Sequence, residues 1–251
     1  MVEPEHPALR PDGAIRLKRV YEPAGGDDGL RLLVTRLWPR GVRRESVDEW
    51  VKELGTPRDM LNEYQHGGLA YEEFAVRYRA WLDTAPEAQP VLDRVAQLAI
   101  EQNITLLTSL PDLTRSHVPI LRGALVDRAL RRLGQQLLER TRRFQAVLFH
   151  SASAMALVGE AEHPDELLGL AGFLMTGPGQ ELDLGDAEGA EDRSPQCYLG
   201  SYSAFGLGMA HGGRVVGAAV AESAQIGAFS AAERAAVREL GDPAGRLLAS
   251  G

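Results

Sequence analysis

With 251 residues, 44% of them hydrophobic and 25% charged, the chain has the composition of an ordinary globular protein, which excludes wholesale disorder and collagen-like repeats. A net charge of −8 argues against a general nucleic-acid-binding surface. The one cysteine, Cys197, excludes an internal disulfide framework and a thiolate zinc cluster. No apolar run approaches the ~18 residues of a membrane span, and the opening MVEPEHPALRPDG has neither the basic nor the apolar region of a secretory signal. The expectation is a soluble, cytoplasmic protein.

The charge is unevenly distributed. Residues 1–121 hold 15 basic and 19 acidic groups, residues 122–143 hold 7 and 2, and residues 144–251 hold 5 and 14. A basic segment thus separates two acidic parts, and its plainest reading is a solvated helix.

In chain order, residues 1–14 are polar and proline-rich, the pattern of a flexible terminus. Ile15 to Tyr21 is a short strand candidate, Gly25-Gly26-Asp27-Asp28-Gly29 a turn cluster, and Leu30 to Thr35 a continuous apolar run typical of a strand buried on both faces. Ser46 is placed to cap a helix over VDEWVKELG, and Pro57 suits a first helical turn. Tyr71, Phe74, Tyr78, Trp81 and Leu82 lie at helical spacing, and Val91 to Ile100 repeats the pattern. Ile104 to Leu107 is a second buried-type strand, after which Thr114 or Ser116 opens a helix. Strands separated by long helical stretches predict an α/β domain over 15–125 with a mostly parallel sheet.

Beyond it the grammar changes. Leu121, Leu125, Ala129, Leu133 and Leu137 mark one long amphipathic helix, Leu121 to Arg140. Strands are expected at Phe144 to Phe149 and Ala154 to Glu160, and a helix from Pro164. Residues 177–195 carry six acids and one arginine and read as a flexible acidic loop. Three strands follow, Gln196 to Ser203, Ala204 to Ala210 and Arg214 to Ala221, with Gly212-Gly213 as a hairpin turn. Ser230 and Glu233 form a capping box for the last helix. The second domain, 126–251, is therefore expected to be α+β with a five-stranded antiparallel sheet. A homodimer through this domain is the expected assembly, by strand or helix pairing, with Phe205 to Ala210 or Val215 to Ala221 as a pairing edge; the rival is a monomer whose first domain covers that surface.

Two segments concentrate polar chemistry. Thr35-Arg36-Leu37-Trp38-Pro39-Arg40-Gly41 follows a buried strand, and ligands in open α/β sheets bind beyond the carboxyl ends of strands. Arg36 and Arg40 offer forks for phosphate or carboxylate, and Trp38 a stacking plane. The structural alternative is a core Trp38 with the arginines paired to Glu45, Asp48 and Glu49. The second segment, Thr108 to His117, also follows a strand and leads into a helix. Asp112 is placed to orient His117, and the alternative is an ordinary capped helix start. Arg36, Trp38, Arg40, Asp112 and His117 are thus the candidate anion-binding residues. His150, His163 and His211 lack metal-ligand spacing, Ser151 lacks a nucleophile elbow, and Cys197 reads as a packing residue, so no metal or cofactor is expected.

KRVYEP (18–23), DDGLRLLVTRLWPRGV (27–42), DEWVKELGTP (48–57), EEFAVRYRAWL (72–82) and ITLLTSLPDLTRSHVPIL (104–121) resemble the YeaO-like family, a domain of unknown function numbered 488. The resemblance implies a compact α/β domain with Arg36, Trp38, Arg40, Asp112 and His117 at its polar positions. The chain departs from the family at Thr35, where an Asp is usual. It departs again at Thr108-Ser109-Leu110 and Arg115-Ser116-His117-Val118, where YAA, an Asp and an HNHA-like run are usual. An Asp, a Tyr, a His and an Asn are thereby missing. Residues 126–245, through their element order and GGRVVGAAVAESAQIGAFSAAERAAVREL (212–240), resemble a roadblock (dynein light chain) domain. That resemblance implies a dimeric partner-binding platform, often for a small Ras-like GTPase, without an active site. Together these features predict a regulatory or scaffolding module. The alternative is an enzyme or sensor for a small phosphorylated or nucleotide-like ligand in the first domain.

Overall fold

The computed structural model describes residues 14–177, 179–184, 203–225, 227 and 229–250. They fall into two compact units, one within Met1–Ala129 and Ser250–Gly251, the other within Leu130–Ala249. The N-terminal segment expected to be flexible lies, apart from Ala14, outside the described residues, as does Cys197.

The first unit is built on a four-stranded sheet of β1 (Ile15–Arg19), β2 (Leu30–Leu33), β3 (Glu49–Trp50) and β4 (Ile104–Thr108), in the order β1-β4-β2-β3. Every pair is parallel, with Leu106 of β4 opposite Leu17 on one side and Leu32 on the other. β4 is buried at all five residues, in keeping with its uncharged sequence ITLLT, and the buried Thr105 hydroxyl donates to Asp28 O at 2.7 Å. Three helices follow one another between β3 and β4: α1 (Arg58–His66), α2 (Tyr71–Thr84) and α3 (Gln89–Glu101). α2 buries Phe74, Tyr78 and Leu82, four residues apart, and α3 buries Leu92, Val95, Ala96 and Ala99. Asp28 and Arg31 are both buried and paired. Lys18 joins the same carboxylate, and Arg31 further donates to the carbonyls of Ser46 and Glu22 at 3.0 and 3.1 Å. Burial alone would raise the Asp28 carboxyl, but hydrogen bonds from Lys18, the Gly25 N–H and Arg31 hold it below its ordinary range.

The helix expected from Ser46 does not form. Residues 44–46 and 52–54 are single 3-10 turns flanking β3. The spacing of Val47, Trp50, Val51 and Leu54 suits a helix, but the open edge of β2 captures the segment: Asp48 N–H donates to Arg31 O at 3.0 Å and Val51 N–H to Leu33 O at 2.8 Å. The Asp48 carboxylate in turn accepts from Arg31 N–H at 2.7 Å.

α4 (Val118–Thr141) begins later than Thr114. Asp112 draws the N–H groups of Thr114 and Arg115 into a local turn, and Ser116 Oγ accepts from the Val118 N–H at 3.4 Å.

The second unit holds β5 (Ala146–His150), β6 (Met155–Gly159), β7 (Glu181–Asp183), β8 (Ser203–His211) and β9 (Arg214–Ser223) in the order β6-β5-β9-β8-β7, all antiparallel. α5 (Pro164–Leu174), α6 (Ala231–Arg238) and α7 (Gly241–Leu248) complete it. Leu167, Leu170, Ala171 and Leu174 of α5 pack with Leu148, Ala204, Ala218 and Val220 of the sheet. Gly208 permits that approach, since a Cβ there would stand 2.5 Å from Leu174 O. Gly212 and Gly213, with φ of 57° and 76°, turn β8 into β9. The expected capping box at Ser230 is present, but α6 ends at Arg238 and a second helix starts at Gly241, with Pro243 in its first turn.

Two expectations for this unit need correction. The fifth strand is Glu181–Asp183, within the span read as an acidic loop, while residues 196–202 lie outside the described residues. The reason is visible in ELDL: Leu182 and Leu184 alternate inward, and the acids are neutralised rather than left to repel. Arg238 clamps Glu181 with bonds of 2.6 and 2.7 Å, and Arg234 holds Asp183 at 3.0 Å. The remainder of that loop, residues 185–195, lies outside the described residues. Finally, β8 and β9 are interior, so the sheet edges belong to β6 and β7, not to Phe205–Ala210 or Val215–Ala221.

No helix among the described residues is long and apolar enough to cross a membrane.

Candidate functional site

Two parallel strands release the chain side by side. Val34, just past β2, donates its N–H to Leu107 O of β4 at 3.0 Å, so the segments Thr35–Pro39 and Thr108–Leu110 leave the same sheet end together. The turn before α1 closes the space from another side. Gly55 makes this possible, because a Cβ there would lie 2.4 Å from Arg36 N and 2.7 Å from Thr35 C. The resulting cleft measures about 350 Å³ and is lined by Thr35–Pro39, Thr56, Arg58, Leu61, Asn62, Gln65, Thr108–Leu110 and His117.

His117 forms part of the buried wall, being only 3% exposed. Its Nε2 lies 2.7 Å from the carbonyl of Val34; a carbonyl only accepts, so Nε2 carries the proton and donates. The ring of Tyr78 meets it edge-on, with centroids 5.8 Å apart. Burial pushes the His117 pKa down to about 4, outweighing the carbonyl contact that favours the charged form. The imidazole is therefore neutral at pH 7, and Nδ1 is a bare acceptor. That atom is buried and has no hydrogen-bond partner. Thr56 Oγ1, on a side chain only 2% exposed, is in the same state. Two unsatisfied buried polar atoms on residues lining one cleft are unusual in a folded protein.

The mouth differs from the floor. Arg36 and Arg58 are exposed and make no ion pair among the described residues. The N-terminus of α1 opens here without a side-chain cap, leaving backbone N–H groups of its first turn free. No lining residue among those described is a carboxylate, a lysine, a cysteine or a tyrosine.

Of the five residues anticipated from sequence, Arg36, Trp38 and His117 come together in this cleft, whereas Arg40 and Asp112 do not line it. Trp38 is anchored by its Nε1–H to Val42 O at 3.1 Å, meets Trp50 edge-on, and has the Arg44 guanidinium 5.8 Å from its ring centroid. Arg40 is exposed, and its carbonyl accepts from the Tyr21 hydroxyl. Asp112 does not hold His117. Its carboxylate accepts from the Thr114 hydroxyl and from the N–H groups of Thr114 and Arg115, bonds that keep its pKa below the ordinary value. The alternative pairing of the arginines with Glu45, Asp48 and Glu49 is also not found, since Glu49 is taken by Arg94 and Asp48 by the Arg31 N–H. Thr56, Arg58, Leu61, Asn62 and Gln65 were not singled out by sequence, where only Pro57 drew attention to their segment.

The family model described as "Inactive DUF488-N3 subclade" matches residues 14–150. The uncharacterised protein YeaO of Escherichia coli K12 is 40% identical over 110 residues, covering 43% of this chain and 92% of YeaO. The uncharacterised protein Rv3073c of Mycobacterium tuberculosis H37Rv is 33% identical over 117 residues, covering 45% of this chain and 95% of that protein. Among solved structures, the type II free methionine-R-sulfoxide reductase of Thermoplasma acidophilum aligns with a TM-score of 0.37 at 16% identity, over 51% of this chain and 94% of that one. A similarity that low carries no argument about fold or activity.

Proposed function

The chain belongs to the inactive DUF488-N3 subclade through residues 14–150, and from that premise we propose that it is a regulatory module whose first unit binds a small ligand without transforming it. The observation that carries this reading is the state of His117. General acid–base catalysis wants a titrating group near neutrality, paired with a nucleophile or a second acid. Here the imidazole is held neutral down to about pH 4, its Nε2–H is given to a backbone carbonyl, and its Nδ1 touches no hydroxyl. Asp112 is spent on a backbone turn. What is left is a binding surface.

Residues 126–251 supply the output in this reading: self-association and capture of a protein partner, the role of a roadblock-type platform, with a small Ras-like GTPase as the candidate partner. Support comes from the outer face of α5, where Leu168 and Phe173 are 39% and 38% exposed beside the open positions Gly169 and Gly172. Light scattering on the full chain tests the assembly. A mass of twice 27.2 kDa that falls to the single value in Phe173→Glu supports it, and a monomeric wild type overturns it. Incubation with a panel of phosphorylated metabolites, followed by NMR, tests the non-catalytic claim. Binding without turnover supports it; conversion of any bound compound makes the first unit an enzyme.

A further inference from the structure

We propose that the cleft beyond β2 and β4 takes the phosphate monoester of a sugar, with the phosphate at the mouth on Arg36 and Arg58 and sugar hydroxyls on His117 Nδ1 and Thr56 Oγ1 at the floor. This rests on the reading that the cleft binds a ligand. It goes further by naming the chemistry at each end.

The floor sets the first requirement. Nδ1 of His117 presents a lone pair and nothing to donate, because the ring's one proton is committed to Val34 O. A bare anion placed there would set lone pairs against a lone pair, so the group that satisfies it must be a donor. An ammonium would satisfy it but would be a buried charge with no carboxylate among the described lining residues to receive it. A neutral hydroxyl meets both conditions, and Thr56 Oγ1, able to donate or accept, matches a second hydroxyl.

The mouth sets the opposite requirement. Two exposed guanidinium-bearing side chains without ion-pair partners among the described residues, beside an uncapped helix start, offer more donors than one carboxylate can fill, and a phosphate dianion fills them. Leu37, Pro39 and Leu110 lie among the lining residues and suit the C–H faces of a sugar ring. A volume of about 350 Å³ is at the small end of ligand cavities, sized for one sugar rather than a polymer.

The test uses the full chain and four probes: ribose 5-phosphate, ribose, propyl phosphate and sulfate, by titration calorimetry and thermal shift. Ribose 5-phosphate is expected to bind about tenfold or more tightly than propyl phosphate, which has the anion and no hydroxyls. Sulfate and ribose should bind more weakly still. Arg36→Gln with Arg58→Gln should abolish binding of both phosphate esters while leaving the unliganded melting temperature unchanged. Thr56→Val gives the distinctive signature. It removes an unsatisfied buried hydroxyl at constant shape, so the unliganded chain should melt no lower, while affinity for ribose 5-phosphate drops about tenfold. Propyl phosphate binding as tightly as ribose 5-phosphate, or Thr56→Val leaving that affinity intact, overturns the assignment of the floor while the cleft stays a ligand site. Failure of all four probes overturns both the assignment and the ligand-binding reading beneath it.

Discussion

The two units bury ionisable groups in opposite ways. In the first, Asp28 is enclosed by Lys18 and Arg31 and stays ionised, and His117 is enclosed without a counter-charge and stays neutral. In the second, Glu222 of β9 is fully buried with Gln145 and the Glu162 N–H at 3.5 and 3.2 Å, and its Oε2 has no partner. Burial is the largest influence on Glu222 and raises its pKa above the ordinary carboxylate value. The difference is one of linkage. Acid drives protons onto the unfolded form of the first unit before the folded form accepts them, whereas folded Glu222 takes its proton before the unfolded chain does. A falling pH therefore weakens the interactions centred on His117 and Asp28 and strengthens the one centred on Glu222.

The largest test of this contrast uses tryptophan fluorescence, since Trp38, Trp50 and Trp81 all belong to the first unit. With the His117 pKa moved from 6.5 to about 4, the unfolded chain protonates first. Stability is then lost between those two values and amounts to about 3 kcal/mol at the acid end. Urea titrations at stepped pH should show that loss in the wild type and not in His117→Gln; an equal slope in both would remove His117 from the account.

Next in size is Gly55→Ala, which drives a methyl group into the Thr35–Arg36 backbone. It should cost about 1–3 kcal/mol in the fluorescence-monitored transition and weaken ligand binding in the same variant. An unchanged midpoint would show that the turn before α1 moves freely.

In the second unit, Ser230→Ala removes the hydroxyl half of the capping box on α6, the bond that Ser230 Oγ accepts from the Glu233 N–H, and should cost about 1 kcal/mol by circular dichroism, with the tryptophan signal unmoved. A shift in both signals would mean that the units unfold together.

The smallest effect carries the sign that sharpens the contrast. Glu222→Gln replaces a carboxylate whose ionisation is penalised by burial with a neutral amide. It should stabilise the second unit slightly at pH 7, by less than about 1 kcal/mol, and the gain should shrink as the pH falls towards the point where Glu222 itself is protonated. A loss of stability at pH 7 would assign Glu222 an ionised, partnered role.

How much of this was readable in advance depended on where each partner sits in the chain. Leu30–Leu33 and Ile104–Thr108 announce themselves because a strand covered on both faces draws apolar residues to both, with Arg31, Thr105 and Thr108 as the buried polar exceptions. Arg36, Trp38 and His117 follow from their place just beyond such strands. The role of His117 does not, because its partner is the backbone carbonyl of Val34, 83 residues away, which leaves no mark on residue type. Thr56 and Arg58 were missed for a related reason: nothing local distinguishes a polar residue that lines a cleft from one that faces open water. The helix read into residues 46–55 had the right apolar spacing, and was overridden by the hydrogen-bonding edge of β2. In the second unit Glu181 and Asp183 looked repulsive because Arg234 and Arg238, more than 50 residues later, were invisible from their neighbourhood.

The strand order β1-β4-β2-β3 also dictates a timetable. β1 and β2 do not pair with each other; β4 joins them, and Ile15 finds its strand partner only at Ile104. At ribosomal speeds of about 5–20 residues per second, the stretch from Leu33 to Ile104 emerges over something on the order of ten seconds. For that interval β1 has no strand partner and β2 has only the two-residue β3 on one edge, so the position that β4 fills between them stands open. The sheet therefore closes only with the arrival of five residues, and slow codons placed before Ile104 would lengthen the interval in which the edges of β1 and β2 are open.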